Sequence, residues 1–310
     1  MKVVFFGSSQ FAVPALHALV ANGYSLVAVV TVPDQPVGRE HVLTPTPIKI
    51  AALKLGLTIL QPETLKTENS NFKIPDCDLA VVAAYGKIIP QPYLDVPKHG
   101  FINIHPSLLP KYRGPTPVQT AILHGETETG VTIMKVDAKM DHGPILAVRT
   151  VTIGPEETYQ ELHDKLADIG AKLLIETIPR YIDGVITSQE QDHDQATFSE
   201  FHARMQSRID WIKPPQEIHN WIRALNPDPG TWTIWRGALM NIRSASIKNY
   251  ELRITNSQQP GTLCKQDKRI VVICKEGALE LGQIQLEGKK EMSALEFSHG
   301  HPDFIDSKFE

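Results

Sequence analysis

Cysteine is scarce. Over 310 residues the chain holds three, Cys77, Cys264 and Cys274. Their spacings fit neither a disulfide framework nor a zinc site, so a reducing compartment is expected. No apolar run reaches the roughly 20 residues that a membrane-spanning helix needs. The first residues pass straight into Val3-Val4-Phe5-Phe6 with no charged and apolar leader, and the expectation is a cytoplasmic chain. A surplus of positive charge is missing too. The formal net charge of -4 excludes nonspecific nucleic-acid binding driven by bulk charge. That charge is uneven, however: residues 1–204 hold 17 Lys and Arg against 22 Asp and Glu, whereas residues 205–310 hold 14 against 13. The C-terminal third is therefore the part better suited to a polyanion.

What is present is ordinary globular composition, 42% apolar and 21% charged, in a chain long enough for two domains. Val3 to Phe6, the turn Gly7-Ser8-Ser9, a helical pattern from Phe11 to Gly23 and the apolar run Leu26 to Val32 form a βαβ unit, the first element of a doubly wound sheet. The turn lacks the second and third glycines of a dinucleotide fingerprint, which argues against a nicotinamide or flavin cofactor. Pro33 to Pro47, PDQPVGREHVLTPTP, reads as a loop far longer than a normal βα connection. Its place after a strand puts it at the rim of the ligand crevice, with Arg39 exposed toward an anionic partner.

A helix over Ile48 to Leu55 and strands near Thr58 to Leu60, Leu79 to Ala84 and Phe101 to His105 continue the α/β pattern. After a helical segment from Val118 to His124, strands over Gly130 to Val136 and Pro144 to Ile153 flank the turn Asp141-His142-Gly143. Thr158 to Tyr181 is one long helix with apolar residues near a 3.6 period. The polar stretch 189–206 reads as a linker between a domain over 1–188 and another over 207–310. In the latter, a helix from Pro215 to Leu225 precedes short strands at Thr231 to Trp235, Asn241 to Ile247, Arg269 to Cys274 and Leu279 to Gln285. That grammar suggests a small β-barrel.

The chemistry concentrates at FINIHPSLLPKYRG, Phe101 to Gly114. In a strand, Asn103 and His105 stand on one face. Polar groups inside a sheet need partners or a task, since an unsatisfied one costs about 1 to 3 kcal/mol. If the strand from Gly130 lies alongside, the following turn brings Asp141 to His105, where a carboxylate fixes the tautomer and favours the charged ring. An amide and an imidazolium aimed at one point suit an oxygen that becomes negative during reaction, where one donor is worth roughly 3 to 4 kcal/mol of barrier. Ser107 sits in PSLLP rather than a G-x-S-x-G elbow, which argues against a serine hydrolase. His105, Asp141 and His142 lack the further ligands a metal would need.

These segments, with FAVPALHAL, PDQPVGR, AYGKIIP, ETGVTIMKVDAKMDHGPIL, RIDWIKPP, IRALNPDPG and GKKEMSA, make the chain resemble the methionyl-tRNA branch of the folate-dependent formyltransferase family over nearly its whole length. The resemblance implies a Rossmann-like doubly wound domain over 1–188 that binds 10-formyltetrahydrofolate as co-substrate, a linker over 189–206 and an OB-like barrel over 207–310 that grips tRNA. It implies formyl transfer to methionyl-initiator-tRNA for translation initiation, with no metal and no membrane. Position by position it puts the catalytic trio on Asn103, His105 and Asp141, the folate contacts on Ser107, Leu108, Leu109 and Pro110, and an acceptor-stem contact on Arg39. Glu40, His41 and Val42 stand where the family commonly carries a basic run. The nearest rival is a formyltransferase for an amino sugar nucleotide or for glycinamide ribonucleotide, and a more distant one is an RNA-binding protein that has kept the scaffold without the activity.

Overall fold

The computed structural model of the chain describes residues 1–37, 41–66, 71–247 and 259–310. β1 (Lys2–Gly7) leads through a 3-10 turn at Gln10–Ala12 into α1 (Val13–Ala21), which returns the chain to β2 (Ser25–Val30). Val3 to Phe6 and Leu79 to Val81 are wholly buried, as strands covered on both faces must be. After β2 the proline-rich segment, expected as a loop, carries a short hairpin of β3 (Gln35–Val37) and β4 (Val42–Thr44), with Pro36 opposite Leu43. Proline is tolerated there because the two strands form a separate ribbon outside the main sheet. Lys49 Nζ grips both carboxylate oxygens of Asp34 at 2.9 and 2.7 Å, and Gln61 Nε2 adds a third bond at 2.8 Å. The hairpin's entry is thereby tied down. Arg39 lies outside the described residues.

Next come α2 (Pro47–Lys54), β5 (Ile59–Leu60), β6 (Leu79–Ala83), α3 (Gln91–Leu94), β7 (Phe101–His105), α4 (Pro117–Leu123), β8 (Glu128–Lys135), β9 (Ile145–Thr152) and α5 (Tyr159–Ile182). The central sheet runs β5-β2-β1-β6-β7-β8-β9, parallel through β7 and antiparallel for β8 and β9. The chain turns to opposite sides of β1 as it makes β2 and β6. In such sheets the crevice at the carboxyl ends of the central strands is where ligands bind. The long helix begins at a capping box between Thr158 and Glu161 and stops at Gly184. A Cβ at Gly170 would fall 2.8 Å from Ile104 Cγ2, so its absence lets α5 lie close on the Ile102 and Ile104 face of β7. Asn103 and His105 project from the other face.

Two compact units divide the chain. The first contains Met1–Pro117, Glu128–Thr152 and His163–Ser199; the second contains Val118–Thr127, Ile153–Leu162 and Glu200–Glu310. The stretch expected as a linker is thus no free tether over its first half: through Ser199 it belongs to the first unit, and Gln191 within it is only 5% exposed.

In the second unit, α6 (Pro215–Leu225) precedes β10 (Thr231–Trp235), β11 (Ala238–Ile242), β12 (Ala245–Ser246), β13 (Leu263–Gln266), β14 (Arg269–Cys274), β15 (Gly277–Leu281), β16 (Gln283–Leu286), β17 (Met292–Ser293) and α7 (Ala294–Gly300). They form two four-stranded antiparallel sheets, β10-β11-β16-β17 and β12-β15-β14-β13. The runs 241–247 and 279–285, each expected as one strand, both break and change sheet. The cause is a pair of crossing corners, where Arg243 N–H donates to Gln283 O and Gly282 N–H to Ser244 O. Ile222, Trp235, Met240, Leu279, Ile284, Phe297 and Phe304 fill the space between. His219 is buried on α6, with Nε2 on Glu156 at 3.1 Å and, among the described residues, no partner for Nδ1. Burial pushes its pKa below the usual imidazole value, against the pull of the Glu156 carboxylate. Among the described residues no helix is long and apolar enough to cross a membrane.

Candidate active site

Asn103 and His105 end β7, at the carboxyl edge of the sheet. Val82 flanks Asn103 on β6 and Met134 on β8, while Thr132 lies opposite His105. The Asn103 side chain is half-buried, and among the described residues its amide makes no hydrogen bond. An amide left free at the end of a sheet is available to a ligand. His105 is the reverse case, 4% exposed and held on both sides. Its Nε2–H donates to the Tyr112 carbonyl at 3.0 Å, and Nδ1 stands 3.6 Å from Asp141 Oδ1. That gap is too long for a direct hydrogen bond. An oxygen entering beside it can therefore share the Nδ1 edge.

Asp141 arrives as the sequence anticipates, on the turn between β8 and β9, which pairs antiparallel with β7 through β8. Its other oxygen accepts from Gly114 N–H at 2.8 Å. Asp141 adopts φ +48°, a left-handed conformation costly for a residue with a Cβ. The carboxylate is thus set by the backbone of a loop, not by its own rotamer alone.

Ser107, Leu108, Leu109 and Pro110 follow His105 directly. Ser107 is wholly buried, and its hydroxyl donates to Lys111 O at 2.6 Å, so it shapes the loop and is not free to attack. Thr132 Oγ1 donates to Ser107 O at 2.7 Å and accepts from Leu109 N–H at 3.3 Å, stitching the loop to β8. The Leu109-Pro110 bond is cis. Leu108 packs over Gly130, where a Cβ would fall 2.5 Å from Leu108 Cδ2 and 2.3 Å from Arg149 O. The result is an apolar shelf beside the amide and imidazole.

Several residues that serve this site escaped the sequence reading. Arg113 is 4% exposed and sends Nε and Nη2 to Gln191 Oε1 at 3.2 and 2.7 Å. Gln191, Thr197 and Ser199 come from the supposed linker, where polar residues without aliphatic anchors look like solvent-facing chain. Among the described residues no group of three or more His, Cys, Asp or Glu could hold a metal ion. Burial pushes the thiols of Cys77 and Cys274 up to about 11 and about 12, so neither is a ready nucleophile at neutral pH.

Residues 1–178 match the family model described as formyl transferase, and residues 203–302 match that of the formyl transferase C-terminal domain. A methionyl-tRNA formyltransferase of Chloroflexus aggregans is 44% identical over 304 residues, with 97% of each chain covered. The one of Methylococcus capsulatus is 41% identical over 303 residues, again with 97% of each covered. Among solved structures, an N-formyltransferase from Helicobacter canadensis in complex with folinic acid and dTDP-3-aminofucose superposes with a TM-score of 0.67 at 21% identity. That alignment covers 92% of this chain and 100% of the other, and it speaks to the fold alone.

Proposed function

Because the chain belongs to the formyl transferase family, among the methionyl-tRNA formyltransferases, we propose that it moves the formyl group of 10-formyltetrahydrofolate onto the amine of methionyl-initiator-tRNA, ahead of translation initiation. The observation that carries this reading is the unpartnered Asn103 amide beside the His105 and Asp141 pair, at the carboxyl end of β7.

The α-amino group of the methionyl ester has a pKa near 8, so an appreciable fraction is neutral at pH 7. This amine attacks the formyl carbon. A bond forms between the amine nitrogen and that carbon, the carbonyl oxygen takes negative charge, and the bond from the carbon to the folate nitrogen then breaks. Asn103 and the Nδ1 edge of His105 donate to the developing oxyanion, a task in which one preorganised donor lowers the barrier by about 3 kcal/mol. Asp141 orients the ring and passes the proton shed by the amine, through water, toward the leaving nitrogen. Leu108, Leu109 and Pro110 supply an apolar wall for the folate ring, and Ser107 holds that wall in shape. No side-chain nucleophile takes part.

We assign the chemistry to residues 1–188 together with the stretch through Ser199 that packs in the same unit, the link to the remainder of 189–206, and the tRNA grip to 207–310, aided by Arg39. Supporting the grip are the near-balanced charge of the C-terminal third and surface pairs such as Arg208 over the Trp232 ring at 5.7 Å. For a chain that acts on charged tRNA we infer a cytoplasmic location. Labelled 10-formyltetrahydrofolate supplied with methionyl-initiator-tRNA, methionyl-elongator-tRNA or a nucleotide-linked amino sugar tests the assignment. Label is expected on the initiator tRNA; label on the sugar alone, or on none, overturns it.

A further inference from the structure

We propose that Gln191 is a positioning residue: its amide clamps the Asp141 turn and so sets the carboxylate against His105. The proposal rests on the assignment of Asp141 and His105 given above.

The contacts of Gln191 are unusually complete. A primary amide offers two N–H donors and two acceptor lone pairs. Here Nε2 donates to Asp141 O at 3.0 Å and to Gly143 O at 2.7 Å, while Oε1 accepts from Nε and Nη2 of Arg113. All four capacities are used at a site that is 5% exposed. Both carbonyls belong to the turn in which Asp141 adopts φ +48°. Backbone in that region persists where its surroundings over-determine it. Gln191 donates to the carbonyl of the strained residue itself, and Gly114 N–H holds the carboxylate of the same residue.

The neighbouring contacts tie the same segment to the other catalytic side chain. Thr197 Oγ1 accepts from Tyr112 N–H at 2.9 Å, and the Tyr112 carbonyl is the acceptor for His105 Nε2. Arg113 pairs through its backbone with Thr197 O and Ser199 N–H at 2.9 and 2.8 Å, and its Nη2 also meets His193 Nδ1 at 2.9 Å. His193 in turn stacks on His142 of the Asp141 turn, centroids 4.0 Å apart and planes at 8°. Arg113 is a buried cation with no ion pair to a carboxylate among the described residues, so Gln191 also supplies its principal neutral acceptor. A chain segment that looks like a tether is in this way the outer wall of the His105 and Asp141 pair.

Gln191→Glu separates the two duties. A carboxylate still accepts from Arg113, but it has no N–H for the turn and sets an anion against two carbonyl oxygens. The measurement is steady-state formyl transfer by the full chain in a double-mutant cycle with Asp141→Ala. Gln191→Glu is expected to lower kcat about 10- to 100-fold, the cost of a misplaced catalytic group, with KM for folate and tRNA within about twofold. In the Asp141→Ala background the same change is expected to cost nothing further, as for residues acting through one another. Wild-type kcat in Gln191→Glu, or an equal loss in both backgrounds, overturns the clamp while leaving the site assignment standing. Full turnover in Asp141→Ala overturns the site assignment beneath it. Should the carboxylate unfold the turn, as a thermal melt will reveal, Gln191→Met keeps the length without the charge, and the same pattern is expected.

Discussion

Asn103→Ala separates chemistry from stability more cleanly than any other change at the site. The amide meets no hydrogen-bonding group among the described residues, so its removal orphans nothing. A change that strands a buried partner costs about 1 to 3 kcal/mol; that penalty is absent here. If the amide donates to the oxyanion, its loss raises the barrier by about 2.7 to 4 kcal/mol, or about 100- to 1000-fold in kcat. Because the interaction develops in the transition state, KM for both substrates should hold. For a unit of about 150 to 250 residues 1 kcal/mol moves Tm by about 2 to 4 °C, so the melting of the first unit should stay within about 2 °C of wild type. Rapid-quench formylation with saturating 10-formyltetrahydrofolate gives the rate, and differential scanning calorimetry gives Tm. A kcat within about threefold of wild type would refute the oxyanion role, as would a loss of activity matched by a large fall in Tm.

Three further outcomes follow from the packing. Gly130→Ala places a Cβ 2.3 Å from Arg149 O and 2.5 Å from Leu108 Cδ2; overpacking of this kind costs about 1 to 3 kcal/mol, and calorimetry should find a lower Tm together with weaker binding of a folate analogue. Asp34→Asn loosens the grip of Lys49 on the hairpin entry, so KM for methionyl-tRNA should rise severalfold while kcat and folate affinity hold; unchanged tRNA kinetics would remove the hairpin from acceptor binding. Burial depresses the His219 pKa below its unfolded value. The unfolded state then binds more protons through that window, so this contribution is complete above about pH 6.5 and is lost as pH falls. Glu156 favours the charged ring and Arg223 opposes it. His219→Gln keeps a donor for Glu156 without a titration, and its Tm should fall less steeply than wild type between about pH 7.5 and pH 5.5.

Much of the first unit was legible because the central strands β1, β2 and β6 are apolar runs and the long helix α5 ends at Gly184. Phe101 to His105 and Pro215 to Leu225 match their expected bounds residue for residue. The antiparallel β8 that carries the chain on to Asp141 was legible as well. Reading failed where structure depends on contacts distant in sequence. Sheet changes at Arg243 and Gly282 come from corners that cross 39 residues apart, and nothing local marks them. The helix α7 was missed although Ser293 and Glu296 spell a capping box, with Ser293 Oγ accepting from Glu296 N–H at 3.2 Å. Gln191 and Arg113 were invisible for a deeper reason: a buried polar clamp is defined by its partners, and in sequence it looks like a surface.

The central claim is that formyl transfer takes place at the His105 end of β7. Single-turnover transfer from bound 10-formyltetrahydrofolate to methionyl-initiator-tRNA by His105→Ala, with folate affinity measured on the same sample, tests it most directly. A rate reduced on the order of 100-fold or more, with folate binding kept, is the predicted result. Transfer at the wild-type rate would contradict it.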